Sequence, residues 1–286
     1  MRAASQYRGA WVGRSGRYLL IYLVSAIVLV VALFPFLYAL ESSLRPSAAL
    51  FSTTPWTPPP YWTLQNYADV ILQSNFPSYF RNSVFVGLST AVLSVLIGAP
   101  AGYSLARLRI RAKNIIATTV LLVYMVPGVL ILVPMYLLFA ALHLEDSDLG
   151  LVVAYTTFSV PFAIWLLRAF FVSIPIELED AARVDGCSVL GVLRWVALPL
   201  AAPGLMTAGI YSFILAWNEV LLALVFITSD NQKTIAIAIS SAFGQFNDQW
   251  NLVLPSTVLA GLPVLAFFWV LSRYLVRGLL AGGVKG

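Results

Sequence analysis

Residues 173–203 read SIPIELEDAARVDGCSVLGVLRWVALPLAAP, and this stretch decides how the rest of the chain is interpreted. It is rich in acids and bases, whereas the sequence on both sides of it is strongly apolar. Pro175 and the acids that follow it are typical of the first turn of a helix. Gly186 predicts the end of that helix, and Ser188 can cap a second one. The stretch therefore predicts two short helices around a turn, set between hydrophobic spans.

The composition indicates a membrane protein. The chain has 286 residues, of which 60% are hydrophobic and 10% charged, and its mean hydropathy is +0.88. Soluble domains contain about 45–50% apolar residues, and a helix that crosses a bilayer needs about 20 of them. The long apolar stretches between the charged residues predict an all-α integral membrane protein, with a single transmembrane domain over residues 1–286. Its six predicted transmembrane helices lie at about residues 18–40, 82–106, 115–142, 149–171, 201–227 and 252–276.

The basic residues predict the orientation of these helices. With the N-terminus in the cytoplasm, only Arg45, Arg81 and Lys233 of the 17 basic residues lie outside. This is a strong positive-inside bias. It places both termini and residues 173–203 in the cytoplasm, and it makes residues 41–80 and 228–250 external loops. The net charge of +5 then reflects topology and anionic lipid, and it does not indicate nucleic-acid binding.

The motif D-A-A-R-V-D-G-C at residues 180–187, followed by Leu198–Pro199, resembles the EAA loop of permease subunits from binding-protein-dependent ABC importers. The resemblance covers nearly the whole chain and looks closest to the carbohydrate class, typified by the smaller maltose-permease subunit. It implies the type I ABC importer permease fold, with a cytoplasmic coupling helix. The family usually has Glu where Asp180 stands, with Glu179 just before it. The carboxylate is kept, so we expect docking to be kept.

The resemblance implies that the loop docks on a separate ATPase and passes on its movements. We expect an apolar face with charges at its rim. The implied coupling residues are Leu178, Glu179, Asp180, Ala181, Ala182, Asp185, Gly186, Leu198 and Pro199. The implied partners are a second homologous permease subunit, two ATPase subunits, an extracytoplasmic solute-binding protein and membrane lipid. No cofactor is expected in this chain, because ATP and Mg would be bound by the ATPase subunits.

A polar pair inside the fifth predicted helix is a candidate for the substrate path. Asn218 and Glu219 follow Trp217, and an ionisable residue inside a span usually faces a cavity or a partner. A similar W-N-E triplet occurs in the carbohydrate-class permeases that the chain resembles. We add Tyr124 and Tyr155 as further candidates. A hydrogen bond between helices that only fixes packing is an equally good interpretation.

Two external segments have candidate roles. By resemblance, the loop around Ala242, Phe243, Gly244, Gln245, Phe246 and Asn247 would insert into the docked binding protein, and a plain surface hairpin is the alternative. The acids Glu145, Asp146 and Asp148 could bind a divalent cation, although acidic turns that cap the next helix are commoner. We predict no metal site.

Catalytic chemistry is not predicted. The chain lacks the G-x-x-x-x-G-K-[ST] motif of a P-loop, and its one histidine, His143, is predicted to lie on the opposite side of the membrane from its one cysteine, Cys187. The sequence therefore predicts a non-enzymatic, pore-forming subunit of an ATP-driven importer, with a di- or oligosaccharide as cargo. An importer of glycerol phosphate, amino acids or peptides remains open, as does an ion-coupled secondary transporter. Prolines such as Pro100, Pro127, Pro134 and Pro161 lie inside the spans as candidate bends.

Overall fold

The computed structural model describes the backbone of residues 3–50, 61–244 and 250–282, and within these ranges it contains helices and turns but no β-strand. The long helices follow the apolar stretches of the sequence. The α-helices are α1 (Ala3–Ser43), α2 (Gln65–Gln73), α3 (Phe76–Arg107), α4 (Lys113–Tyr124), α5 (Gly128–Ala141), α6 (Asp148–Ser173), α7 (Ile176–Val184), α8 (Val189–Val192), α9 (Leu198–Leu200), α10 (Ala202–Asn218), α11 (Leu221–Phe226), α12 (Ile235–Gly244) and α13 (Trp250–Gly282).

Four of these helices contain a segment that is long and apolar enough to cross a membrane: α1, α3, α6 and α13. Two further spans are bent pairs. The helices α4 and α5 meet at 91°, and Val189–Leu200 meets α10 at 78°. The described residues thus supply four straight spans, or up to six when each bent pair counts as one. This agrees with an all-α membrane protein.

The structure differs from the sequence prediction at the third and fifth spans, which are not single helices. α4 ends at Tyr124 and α5 begins at Gly128, because Pro127 has extended backbone and no N–H to continue the helix. α10 ends at Asn218, and the extended Glu219 separates it from α11. Pro100, Pro134 and Pro161 lie inside continuous helices. Of these four prolines, only Pro127 breaks its span.

The chain divides into two compact units, Met1–Leu72 with Asp248–Leu259 and Gln73–Asn247 with Ala260–Gly286. In the first unit, the short helix α2 lies within the segment 41–80 that the sequence predicts to be an external loop. Its buried Asn66 donates to the carbonyl oxygens of Ser43 (2.9 Å) and Arg45 (2.8 Å), and so holds α2 at the end of α1. The prediction of a single domain over residues 1–286 stays a prediction.

The second unit is built around α3, α6 and α10. α3 and α6 approach closely because Gly98 and Gly102 face α6. A Cβ atom added at Gly98 would lie 2.9 Å from the Cβ of Ala163, and one at Gly102 would lie 3.0 Å from the backbone nitrogen of Arg168. Real Cβ atoms essentially never approach as closely as the first distance and rarely as closely as the second, so these glycines allow α3 and α6 to pack as one stiff pair.

Candidate functional site

The polar stretch forms two short helices, as its sequence predicts. α7 begins after Pro175 and carries acids in its first turn, where they complement the helix dipole. Gly186 has a φ of +88°, a left-handed conformation that suits glycine. The hydroxyl of Ser188 then caps α8 by accepting from the N–H of Gly191 at 3.2 Å. We call α7, the turn 185–188 and α8 the elbow.

The elbow joins the fifth span through irregular helix. Leu193–Ala197 is a π-helical turn, and such turns often occur at functional sites. Leu198 packs against a buried cluster that includes Leu193 and Ala197, whereas Pro199 is exposed. The 78° bend that follows directs the chain into α10. Of the two predicted coupling residues here, Leu198 is therefore a packing contact and Pro199 lies on the surface.

A buried ion pair anchors the elbow on α3. Glu179 is fully buried, and its carboxylate accepts from Arg107 Nε at 2.7 Å and from the hydroxyl of Tyr103 at 2.9 Å. Arg183 lies 3.6 Å from the same carboxylate, and Arg107 also donates to the carbonyl oxygen of Ile174. The side chain of Glu179 thus points into the chain. Any part it has in coupling acts through the placement of α7, not through contact with a partner.

The outer face of the elbow combines exposed apolar side chains with charges. Leu178, Val184 and Leu190 are exposed, and Val184 retains 87% of its accessible surface. Asp180 is exposed and accepts from Arg183 at 2.8 Å. Large apolar residues on an otherwise polar surface helix are typical of an interaction site. Sequence reasoning missed Val184, although its spacing after Asp180 placed it on this face. The remaining predicted coupling residues are the exposed Ala181, Asp185 and Gly186 and the half-buried Ala182.

The predicted substrate-path residues do not come together in one site. Trp217 is buried, and its indole N–H donates to the carbonyl oxygen of Ala260 at 3.2 Å. Tyr155 is fully buried, and its hydroxyl has no hydrogen-bond partner among the described residues. Asn218 is exposed and donates to its own helix, while Glu219 accepts from the N–H of Leu222 at 2.9 Å and caps α11. Trp217 and Tyr155 therefore belong to the core.

Tyr124, in contrast, belongs to a group of aromatic residues that sequence reasoning mostly missed. Its hydroxyl is hydrogen-bonded to that of Tyr211. The ring of Phe162 contacts both of them, with its centroid 5.8 Å from that of Tyr124 and 3.9 Å from that of Tyr211. Trp165 continues the row at 6.1 Å from Phe162. We call Tyr124, Phe162, Trp165 and Tyr211 the aromatic shelf. The i, i+4, i+7 spacing of Phe158, Phe162 and Trp165 was the available signal.

At the opposite end of the second unit, carboxylates hold the segment before α12. Asp146 accepts from the N–H groups of Thr228 (2.9 Å) and Ser229 (2.8 Å) and from the hydroxyl of Ser229. Burial raises the pKa of Asp146, but the hydrogen bonds from Ser229 and Thr228 outweigh it and hold that pKa below its usual value. Asp230 accepts from Lys233, Tyr79 and Asn75, and the bond from Lys233 is the main cause of its lowered pKa.

These contacts and those of Ser147 fit the interpretation of the acidic turn at residues 145–148 as a helix cap, and the expectation of no metal site stays a prediction. Ser147 caps α6 by accepting from the N–H of Gly150 at 3.1 Å, and Asp148 lies in the first turn of that helix. Over the described part of the chain, no group of three or more His, Cys, Asp or Glu side chains could hold a metal ion. The turn therefore serves as a cap and a tether.

The predicted binding-protein loop is only partly described. Ala242 is half-buried near the end of α12, and Phe243 and Gly244 continue the backbone of that helix. Gln245, Phe246 and Asn247 lie outside the described residues. The segment 235–244 is thus helical, and the role of the loop around residues 242–247 stays a prediction.

A bundle of apolar spans with a polar elbow fixed at one end defines a subunit of a membrane transport system. The binding-protein-dependent transport system inner membrane component family matches residues 94–280, and the chain belongs to this family. The resemblance carried by residues 180–187 is thereby confirmed, and the chain is a multi-pass membrane protein.

Curated relatives of the same length include permease subunits of named transport systems. The sulfoquinovosyl glycerol transport system permease protein SmoH of Agrobacterium fabrum is 37% identical, over 93% of this chain and 93% of that protein. The trehalose transport system permease protein SugB of Mycobacterium tuberculosis is 36% identical over 89% and 93%. The diacetylchitobiose uptake system permease protein DasC of Streptomyces coelicolor is 32% identical over 92% and 96%.

Solved structures share the fold. A chain of a bacterial ABC transporter that imports the acidic polysaccharide alginate has a TM-score of 0.78 at 22% identity, covering 90% of this chain and 95% of that one. A chain of the MetNI methionine ABC transporter has a TM-score of 0.57 at 20% identity, covering 69% and 92%. The chain therefore has the type I permease fold.

Proposed function

We propose that this chain is a pore-forming permease subunit of an ATP-driven importer, and that its cargo is a di- or oligosaccharide delivered by a solute-binding protein. The names of SmoH, SugB and DasC support a carbohydrate, because each names a glycoside or a disaccharide. The absence of lysine or arginine from the centres of the spans favours a neutral sugar over an anionic one such as sulfoquinovosyl glycerol, which carries a sulfonate. Within the chain there is no P-loop, so ATP and Mg bind to partner ATPase subunits.

The anchored elbow is the observation that carries this proposal. One side of α7 is joined to α3 through Glu179 and Arg107, and its other side presents Leu178 and Val184 to a partner. Breaking a buried ion pair costs several kcal/mol, so α7 cannot slide on α3 under load. Since α3 packs tightly on α6, a force on the elbow moves both helices together. ATP binding would close the two ATPase subunits, and the elbow would turn that closure into an opening of the path.

The remaining parts of the assembly follow from the same proposal. A second homologous permease subunit completes the path, and the solute-binding protein docks on the side opposite the elbow. Both termini and the elbow lie in the cytoplasm, which agrees with the positive-inside bias. The membrane is the inner or cell membrane of a bacterium or archaeon.

The test uses the complete importer, purified through a tag on this chain and reconstituted in vesicles with its binding protein. Uptake is measured for trehalose, diacetylchitobiose and sulfoquinovosyl glycerol, together with ATP hydrolysis. We expect uptake of one of these sugars to depend on ATP. The double variant Asp185→Ala/Gly186→Ala should retain ATP hydrolysis but lose most of the uptake.

The control is His143→Asn, at the other end of the second unit. His143 is exposed and has a φ of 54°, a conformation that asparagine tolerates, so uptake and hydrolysis should both be unchanged. Full uptake by the elbow variant would contradict the proposal. Transport by the purified chain alone, driven by an ion gradient, would favour a secondary transporter instead.

A further inference from the structure

The aromatic shelf lies where three helices of the second unit meet. Tyr124 is the last residue of α4, Phe162 and Trp165 belong to α6, and Tyr211 lies in the middle of α10. Trp165 is 46% exposed and Tyr124 is 38% exposed, while Phe162 and Tyr211 are half-buried. All four rings therefore keep part of their surface accessible.

The break between α4 and α5 indicates what covers that surface. Irregular backbone at membrane depth is tolerated only where it is buried in protein or lines a water-filled cavity. Met125 is 70% exposed and Val126 is 42% exposed, so the described part of the chain does not bury the break. Phe158, one turn before Phe162, packs under it, 3.4 Å from where a Cβ of Gly128 would stand. The shelf thus adjoins a break that needs water or another chain beside it.

A row of neutral hydrogen-bonding groups continues from the shelf along α10. Thr207, Tyr211 and Asn218 are spaced four and seven residues apart, which places them on one face of the helix. Among the described residues, Thr207 and Asn218 donate to carbonyl oxygens of their own helix, which leaves the lone pairs of the Thr207 hydroxyl and the oxygen of the Asn218 amide for a ligand. None of the shelf or row residues is charged.

A sugar ring has an apolar face of C–H groups and a rim of hydroxyls, and rigid aromatic rings flanked by a few neutral polar groups complement both. A charged cargo would find no counter-ion among these residues. An apolar cargo would leave the tyrosine hydroxyls and the amide without partners.

We propose that the aromatic shelf, with Thr207 and Asn218, is a carbohydrate-binding surface on the translocation path of this subunit. Phe162 stacks on the sugar ring, and the hydroxyls of Tyr124 and Tyr211 exchange their mutual hydrogen bond for bonds to the sugar. The inference rests on the proposed importer function and adds the residues that touch the cargo.

The first test requires no knowledge of the cargo. In the complete importer, on a Cys187→Ser background, a charged water-soluble thiol reagent should label Phe162→Cys and Tyr211→Cys. The matched control is Val92→Cys, which is 55% exposed in an apolar groove between α3 and α10 and should stay unlabelled. If Phe162→Cys and Tyr211→Cys are no more reactive than Val92→Cys, the shelf does not face water and the proposal is overturned.

The second test measures uptake of whichever of the three sugars the wild-type vesicles import. Phe162→Leu should reduce the uptake rate about tenfold at saturating binding protein, because it removes the ring but keeps an apolar side chain. Phe162→Tyr keeps the ring and should restore uptake. ATP hydrolysis should change less than twofold in both variants.

The outcomes separate this inference from the proposed function. If the elbow variant loses uptake but Phe162→Leu does not, only the shelf proposal fails. If Phe162→Leu and Phe162→Tyr both lose hydrolysis, the ring is a packing element and the shelf proposal again fails. If the elbow variant keeps full uptake, the proposed function fails, and the labelling result still decides whether the shelf faces water.

Discussion

The two ends of the second unit use carboxylates in different ways. At the elbow, Glu179 is fully buried and contacts two arginines and a phenol, so one charge holds a helix against α3. At the opposite end, Asp146 is half-buried and accepts mainly from neutral donors of a loop. Removing one partner of a buried ion pair leaves the other charge buried and unpaired. When a partly exposed carboxylate such as Asp146 is removed, water can replace some of the hydrogen bonds that the loop donated to it. The elbow is therefore a stiff joint, and the other end is a weaker attachment.

The largest effect is expected for Glu179→Ala. It leaves Arg107, whose side chain is only 10% exposed, without its counter-charge. We expect the free energy of unfolding to fall by about 3–5 kcal/mol, measured by thermal unfolding of the purified importer. The control is Glu177→Ala, which removes an exposed acid on the same helix and should change the free energy of unfolding by less than about 0.5 kcal/mol. If Glu179→Ala and Glu177→Ala lowered the free energy of unfolding equally, the burial of Glu179 would not make the elbow a stiffer attachment than the other end of the unit.

A smaller effect is expected for Gly186→Ala. A Cβ atom at this position meets nothing within 4 Å, so any cost comes from the φ of +88° alone. We expect a loss of about 1–2 kcal/mol in the same unfolding measurement. Gly191→Ala, inside α8, should be neutral or slightly stabilising because alanine favours helix. If Gly186→Ala matched Gly191→Ala, the turn of the elbow would not depend on left-handed backbone.

The opposite end is tested by Asp146→Asn, with an expected loss of about 1 kcal/mol at pH 7. The pKa of Asp146 is lower in the folded chain than its usual 3.8, so the stability that this carboxylate contributes is fully present above pH 3.8. This stability is lost as the pH falls through the lower pKa that Asp146 has in the folded chain. Melting temperatures between pH 6 and pH 3 should therefore fall less steeply for Asp146→Asn than for the wild type.

The smallest effect on stability is expected for Asp180→Ala. Its ion pair with Arg183 is exposed, and such pairs contribute less than about 1 kcal/mol. Because Asp180 lies on the partner-facing side, we expect the uptake per ATP hydrolysed to fall although the melting temperature barely changes. A large fall in melting temperature would show that the neighbouring acids Glu179 and Asp180 have the same structural role.

The elbow was the part of the site that the sequence predicted best. Proline, glycine and serine determine local backbone, so Pro175, Gly186 and Ser188 were sufficient to place two short helices. The sequence did not distinguish Glu179 from Asp180, because that difference depends on Arg107, which lies 72 residues earlier in the chain. Burial of a charge is decided by partners that only the fold brings together.

The membrane spans were likewise predicted only in part from the sequence. Composition located them, but it did not show that Pro127 breaks a helix while Pro100, Pro134 and Pro161 do not. Neighbouring helices determine whether the freed carbonyl groups are satisfied, and those neighbours are distant in sequence. Likewise, Tyr124 meets Phe162 and Tyr211 only because α4, α6 and α10 converge.

The π-helical turn Leu193–Ala197 has a consequence for how the elbow and α10 are aligned. A π-turn accommodates one residue more than a regular helix would, and each residue rotates an α-helix by about 100°. Deleting a single residue there would restore ordinary winding, and it would leave the downstream segment at nearly the same rotation, because the wider turn takes up the extra residue. The π-turn thus lets the chain carry one more residue between the elbow and the face that carries Tyr211, while the two keep their rotational alignment.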